Sequence, residues 1–300
     1  MRSSPGSRPR AAAAPIMTEC RCWVAVLALA CLCALPLSAN DGSDCWAGAK
    51  RTFQKDVSGF TLWMTPITGA ANRATGEGCR AQIVNTQHKV IFSATDWGFS
   101  IVLAGKDVNG DGIPDLVLES DSGGMHGTNT YYVFSFGQKP ELILKFQTEA
   151  VPARFIPSRT SNGMEVQTWD GAFFMFDHQP TAGSPYPLVY FRMDDNRLID
   201  ISSQHLADYD KKIRELKADI SAEELKTFFQ AENESEKAGL EHTASQVLRI
   251  VLAYLYSGRQ SQARAELRKM WPVFDQERVW KLILQTRRRG ILRYMAKSVS

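Results

Sequence analysis

The nine residues DVNGDGIPD, 107–115, set oxygen-bearing side chains at alternate positions with two glycines between them. Counted from Asp107, these oxygens fall at the first (Asp107), third (Asn109), fifth (Asp111) and ninth (Asp115) places, and the carbonyl of Ile113 is available at the seventh. Like charges this close repel, so a chain that gathers three carboxylates calls for a compensating cation. A hard divalent ion such as Ca2+ takes about six to eight oxygens at about 2.3–2.6 Å, and a tightly wound loop can aim alternate residues at one centre to supply them. Gly110 and Gly112 permit the positive φ that such winding requires, and Pro114 fixes the backbone beside Ile113. Mg2+ fits less well, because it keeps its own waters and demands octahedral geometry. The competing reading is a plain turn, in which Asp, Asn and Gly are equally at home.

The flanking segments decide what holds the loop. FSIVLAGK before it and DLVLES after it are short and rich in β-branched and aromatic residues, which predicts strands on both sides. An EF-hand needs helical flanks and a bidentate Glu at the twelfth position, where Leu118 stands. A strand-flanked D-x-N-G-D-G-x-x-D followed by Leu-Val resembles instead the calcium loop of the FG-GAP/VCBS repeats of integrin-type propellers and of many secreted bacterial proteins. YYVFSFG, residues 131–137, is similar to a later strand of such a repeat, so the likeness covers residues 99–137. It implies Ca2+ as a structural cofactor held by Asp107, Asn109, Asp111, Ile113 and Asp115, a clasp between two strands rather than a catalytic centre. Extracellular sites near about 10⁻⁴ M would gain about 1.5 kcal/mol of stability in millimolar calcium. FRMDDNRLIDIS, 191–202, is a faint echo without the glycines or the spacing. A complete propeller needs about four or more blades, so a partial propeller or a sandwich-like arrangement is expected.

Beyond the loop the chain divides by texture into an α+β protein. Residues 40–205 read as short strands separated by Gly, Pro, Asn and Asp, and carry 13 basic and 18 acidic residues. Residues 206–300 turn to helical spacing. ADYDKKIRELKAD is amphipathic, and SAEELKTFF opens on a capping box of Ser221 with Glu224. ASQVLRIVLAYLYSG is a strongly apolar helix ending at Gly258, SQARAELRKMW stops at Pro272, and DQERVWKLILQTRRRGILRYMAK completes the chain. AYLYSGRQSQA, 253–263, resembles the turn of one tetratricopeptide repeat, with an ordinary helix hairpin as the alternative.

At the other end, Arg2, Arg8, Arg10 and Arg21 precede the apolar run WVAVLALACLCALPL and the small residues SAN. That pattern predicts a secretory signal peptide over residues 1–39, with Met17 in place of Met1 as the alternative true start and an uncleaved membrane anchor as the alternative to cleavage. The expected location is secreted or periplasmic. The leader holds Cys20, Cys22, Cys31 and Cys33, leaving Cys45 and Cys79 as a predicted disulfide in an oxidising compartment. It also holds four arginines and Glu19 of the 35 basic and 32 acidic residues, so the remainder has no net charge and the basic isoelectric point belongs to the precursor.

No catalytic constellation stands out. G-x-S-x-G, H-E-x-x-H and P-loop motifs are absent, and the five histidines have no zinc-ligand spacing. Asp121, Ser122 and His126 crowd one glycine-rich stretch, but triad members ordinarily come from separate elements. Trp169, Asp170, Asp177 and His178 in TWDGAFFMFDHQP offer a sugar-stacking surface, or equally a β-hairpin by their alternation. Residues 259–300 hold 11 basic and 3 acidic residues, a face for an anionic surface, a contact for the acidic half, or a solvated helix end. Nucleic acid is a poor partner for an exported chain. The reading is a calcium-binding, non-enzymatic protein that binds or scaffolds an envelope protein or glycan. The alternative is a secreted hydrolase of glycans or peptides.

Overall fold

The computed structural model describes residues 44–68, 76–124, 127–137, 139–149 and 151–295. The leader, its cysteines and Met17 lie outside the described residues, as does His126. The strand-rich half is built from three antiparallel meanders in chain order. The first is a four-stranded sheet of β2 (Phe53–Val57), β3 (Phe60–Thr68), β4 (Glu77–Val84) and β5 (Val90–Asp96). The second joins β6 (Gly98–Lys106), β7 (Asp115–Asp121), β8 (Thr128–Phe136) and β9 (Pro140–Glu149), with β1 (Asp44–Trp46) added beside β6 as a fifth strand. The third contains β10 (Arg154–Pro157), β11 (Met164–Trp169), β12 (Leu188–Asp194) and β13 (Arg197–Asp200).

The five-stranded sheet is covered on both faces. Side chains alternate along a strand, so in β7 Leu116 and Leu118 enter one core while Val117 enters the other. The first core lies against the β2–β5 sheet and gathers Leu62, Met64, Ile83, Phe99 and Phe134. The second lies against the β10–β13 sheet and gathers Tyr131, Val133, Val166 and Phe191. Burial on both faces explains why DLVL reads as a continuous apolar run instead of an alternating one. The predicted disulfide is formed: Cys45 on β1 bonds to Cys79 on β4, with Cα atoms 6.0 Å apart, and so ties the first two sheets across the first core.

The helices keep the expected breaks at Ser221, Gly258 and Pro272, and differ from expectation in a single turn at Glu234–Lys237 and a further break at Gly290. They are α1 (Leu206–Ala218), α2 (Ala222–Phe229), the single turn α3 (Glu234–Lys237), α4 (Glu241–Tyr256), α5 (Gln260–Met270), α6 (Gln276–Arg289) and α7 (Ile291–Met295). The capping box starts α2: Ser221 Oγ accepts from Glu224 N at 3.1 Å and Glu224 Oε2 accepts from Ser221 N at 3.3 Å. Gly258, at φ 84°, reverses the chain between α4 and α5. The apolar α4 is buried nearly all round and packs in the second core with α1, α5 and β12. That core is therefore continuous across residue 205, from the five-stranded sheet to the helices. Among the described residues no helix is long and apolar enough to cross a membrane.

Candidate functional site

Residues 107–115 form the connection from β6 to β7, between strands as the flanks predicted. The loop winds around Asp107, whose Oδ1 accepts from Gly110 N at 2.6 Å and whose Oδ2 accepts from Gly112 N at 2.8 Å. Gly110 and Gly112 have φ values of 86° and 84°, the left-handed backbone that glycine adopts without steric cost. Asn109 Oδ1 accepts from Asp111 N, Asn109 Nδ2 donates to Asp111 Oδ2, and Asp111 Oδ1 accepts from Ile113 N at 2.7 Å. Asp107 and Asn109 are half-buried and Asp111 is exposed.

Asp115 closes the loop and is 0% exposed. Its Oδ2 accepts from Val108 N at 2.7 Å, while its buried Oδ1 has no hydrogen bond within 3.5 Å, the Ser135 hydroxyl on the paired strand being a more distant neighbour of the carboxyl. Burial pushes its carboxyl above the usual aspartate range. The Val108 amide and the Ser135 hydroxyl oppose that shift, and the charges of Asp111 and Asp107 add to it. The loop is also seated on the turn between β10 and β11. Val108 O accepts from Met164 N at 2.9 Å, and Gly163 lies so close that a Cβ there would stand 2.7 Å from Val108 O.

As they stand, no three His, Cys, Asp or Glu side chains among the described residues form a group that could hold a metal ion. The carboxylates of Asp107 and Asp111 are turned onto the loop's own amides. An ionised carboxylate has about four lone-pair sites, so each oxygen that accepts an amide keeps a lone pair for a cation. The all-oxygen donor set and Asp115 Oδ1, without a hydrogen bond within 3.5 Å, fit a hard cation.

Of the other residues singled out in the sequence, Asp121, Ser122, Asp170 and Asp177 hold turns or helices in place. Asp121 Oδ1 accepts from Gly123 N, and Ser122 Oγ accepts from Thr128 N, which closes the β7–β8 turn. The segment after Trp169 is not a hairpin. Asp170 caps a 3-10 turn at Gly171–Phe173 through Ala172 N, and Met175, Asp177 and His178 take left-handed backbone that ends any strand. Asp170 is buried and also accepts from Tyr256 Oη at 2.5 Å and Ile291 N at 3.1 Å. Asp177 is held by both Arg278 guanidinium ends at 2.6 and 2.9 Å. These two carboxylates anchor α4, α6 and α7 to the strand half. The basic C-terminal stretch is partly neutralised in the same way, with Arg259 on Asp210 and Arg264 on Glu277.

Sequence reading missed a second buried cluster. His205, just before α1, places Nε2 2.9 Å from Glu165 Oε2 and Nδ1 3.0 Å from Asp208 Oδ2, with Tyr190 stacked on its ring at 3.8 Å. Ser158 Oγ donates to the other oxygen of Glu165, Oε1, at 2.9 Å. The cluster latches the start of the helices to β11 and the β10–β11 turn. Nothing local in the sequence marks residues that meet across 40 positions (165 to 205). No family model, curated protein or solved structure matches this chain.

Proposed function

We propose that this chain is an exported calcium-binding protein that binds or scaffolds a partner at the cell envelope. In this reading Asp107, Asn109, Asp111, the Ile113 carbonyl and Asp115 hold one Ca2+. The observation that carries it is Asp115: a fully buried carboxylate with one oxygen that has no hydrogen bond within 3.5 Å, at the end of a wound loop that also holds the side-chain oxygens of Asp107, Asn109 and Asp111. The ion would neutralise three carboxylates and fasten the β6–β7 connection to the β10–β11 turn, a mechanical role that needs no chemistry on a substrate. Export is read from the leader segment, and the FG-GAP/VCBS likeness of residues 99–137 supports the choice of calcium. The test is thermal melting during a calcium titration of wild type and Asp111→Ala. Millimolar calcium should raise the wild-type melting temperature by several degrees, as about 1.5 kcal/mol implies, and leave the variant nearly unmoved. Equal shifts in both proteins would refute the site.

A further inference from the structure

A cleft of about 720 Å3 opens where the β10–β13 sheet meets α1 and α4, within the size range of small-ligand sites. Trp169 ends β11 on one wall and Tyr186 stands beside it, both half-buried. Tyr186 lies parallel to Phe174, with ring centroids 6.4 Å apart and planes 12° from coincidence. The Arg154 guanidinium lies 5.6 Å from the Trp169 ring centroid. Gln167 donates to Tyr190 Oη at 3.0 Å, which fixes the plane of its amide at the cleft.

The charge of the cleft is unbalanced. Its carboxylates are already engaged: Asp208 with Arg159 and His205, and Glu215 with Lys212 at 3.9 Å. Three cations of the lining, Arg154, Lys211 and Arg249, have no carboxylate within 4.0 Å among the described residues. Arg249 has only the Ser184 carbonyl, at 3.4 Å. Cations left unpaired around a concave site favour an anionic ligand, and guanidinium forks suit carboxylates in particular. Charge alone would serve an acidic peptide equally well. The aromatic faces favour a ring-shaped repeat, because the C–H face of a pyranose carries partial positive charge and meets the negative face of an aromatic ring.

We propose that this cleft binds an acidic polysaccharide, with uronate carboxylates on Arg154, Lys211 and Arg249 and sugar rings against Trp169 and Tyr186. The proposal names the partner class for the binding role above and rests on that role. It does not rest on the calcium loop, none of whose residues lines the cleft.

The experiment titrates the full chain after the leader with oligogalacturonate, its methyl-esterified neutral form and polyglutamate, each in calcium and in chelator, following tryptophan fluorescence and calorimetry. Oligogalacturonate should bind in both buffers, and the ester should bind about tenfold or more weakly, as loss of a charge-assisted hydrogen bond requires. Lys211→Gln, at an exposed position, should weaken binding without altering the melting curve, and Lys211→Gln with Arg249→Gln should weaken it by a similar factor to the ester, the half-buried Arg249 losing in addition its bond to Ser184 O. Tyr186→Ala should weaken the acid and the ester alike. Equal binding of acid and ester, equally tight polyglutamate, or no binding by a protein that melts normally would each overturn the proposal. Binding that persists in a protein showing no calcium-dependent melting would sink the calcium site and leave the cleft standing.

Discussion

A buried carboxylate must be protonated, hydrogen-bonded or bound to a cation, and Asp115 has one close hydrogen bond, from Val108 N, with the Ser135 hydroxyl farther off. Because burial raises its folded value above the ordinary 3.8, its linkage has a definite sign. The favourable contribution is present below the unfolded value and is lost as pH rises through the folded one. At neutral pH the metal-free loop therefore carries a cost that Asn at this position removes, since an amide oxygen can still accept from Val108 N. Asp115→Asn should melt at or above wild type in chelator and below it in millimolar calcium, and a variant that melts below wild type in both buffers would contradict this account. Asp275 shows the opposite sign. It is 2% exposed, and although burial pushes its carboxyl up, hydrogen bonds from Arg278, Lys237 and Trp271 prevail and hold it below 3.8. Its contribution is full above the unfolded value and disappears as pH falls through the folded one. Asp275→Asn should cost about 1–3 kcal/mol at pH 7, less than a fully buried pair because Arg278 is half exposed. The difference in melting temperature from wild type should close as the pH is taken below about 3.8; a difference that stays constant into acid would assign the loss to packing instead.

Among the elements, the two sheets around the first core are held by a covalent link as well as by apolar contact. Closing the 34-residue separation between Cys45 and Cys79 should contribute about 3–4 kcal/mol in the chain-entropy picture. Cys45→Ser with Cys79→Ser should lower the unfolding free energy from denaturant titration by that amount, and a reducing agent should do the same to wild type and nothing to the variant. The pairing was legible because the other four cysteines all fall within residues 1–39, the segment read as a signal peptide. The strands on either side of residues 107–115, the capping box at Ser221 and the turn at Gly258 were also legible, since each depends on residues a few positions apart. What was not legible depends on distant partners. Asp170 and Asp177 look like a polar surface in the sequence, yet Tyr256, 86 positions on, and Arg278, 101 positions on, convert them into anchors. The echo at 191–202 became a tight β12–β13 turn with Asp195 and Asn196 at φ 45° and 59°, because without glycines it has no means of winding a longer loop. The cleft escaped notice for the same reason: its walls come from β10, β11 and two helices, and no window of sequence contains them together.

The change of texture at residue 205 separates strands from helices, but the apolar packing does not stop there. Val166, Val189 and Phe191 of the third sheet share one core with Tyr209, Val247 and Val251 of the helices. Tyr209 Oη donates to Leu188 O at 2.6 Å and Tyr256 Oη reaches Asp170 across the same junction. A sheet face that depends on helices for its cover exposes a continuous apolar surface when they are removed, and such surfaces drive association or leave packing unfixed. The five-stranded sheet would be affected indirectly, since the β10–β11 turn that seats its 107–115 loop belongs to the uncovered sheet. Residues 40–205 produced alone should therefore keep strand content by far-ultraviolet circular dichroism, lose near-ultraviolet signal, bind a hydrophobic dye and show no calcium-dependent melting. The same residues with 206–300 supplied as a separate chain should recover near-ultraviolet signal if the two associate through this core. A truncated chain with dispersed amide resonances, a sharp melting transition and an undiminished calcium response would show that the strand half folds on its own, and that the helices are an addition to it rather than its fourth layer.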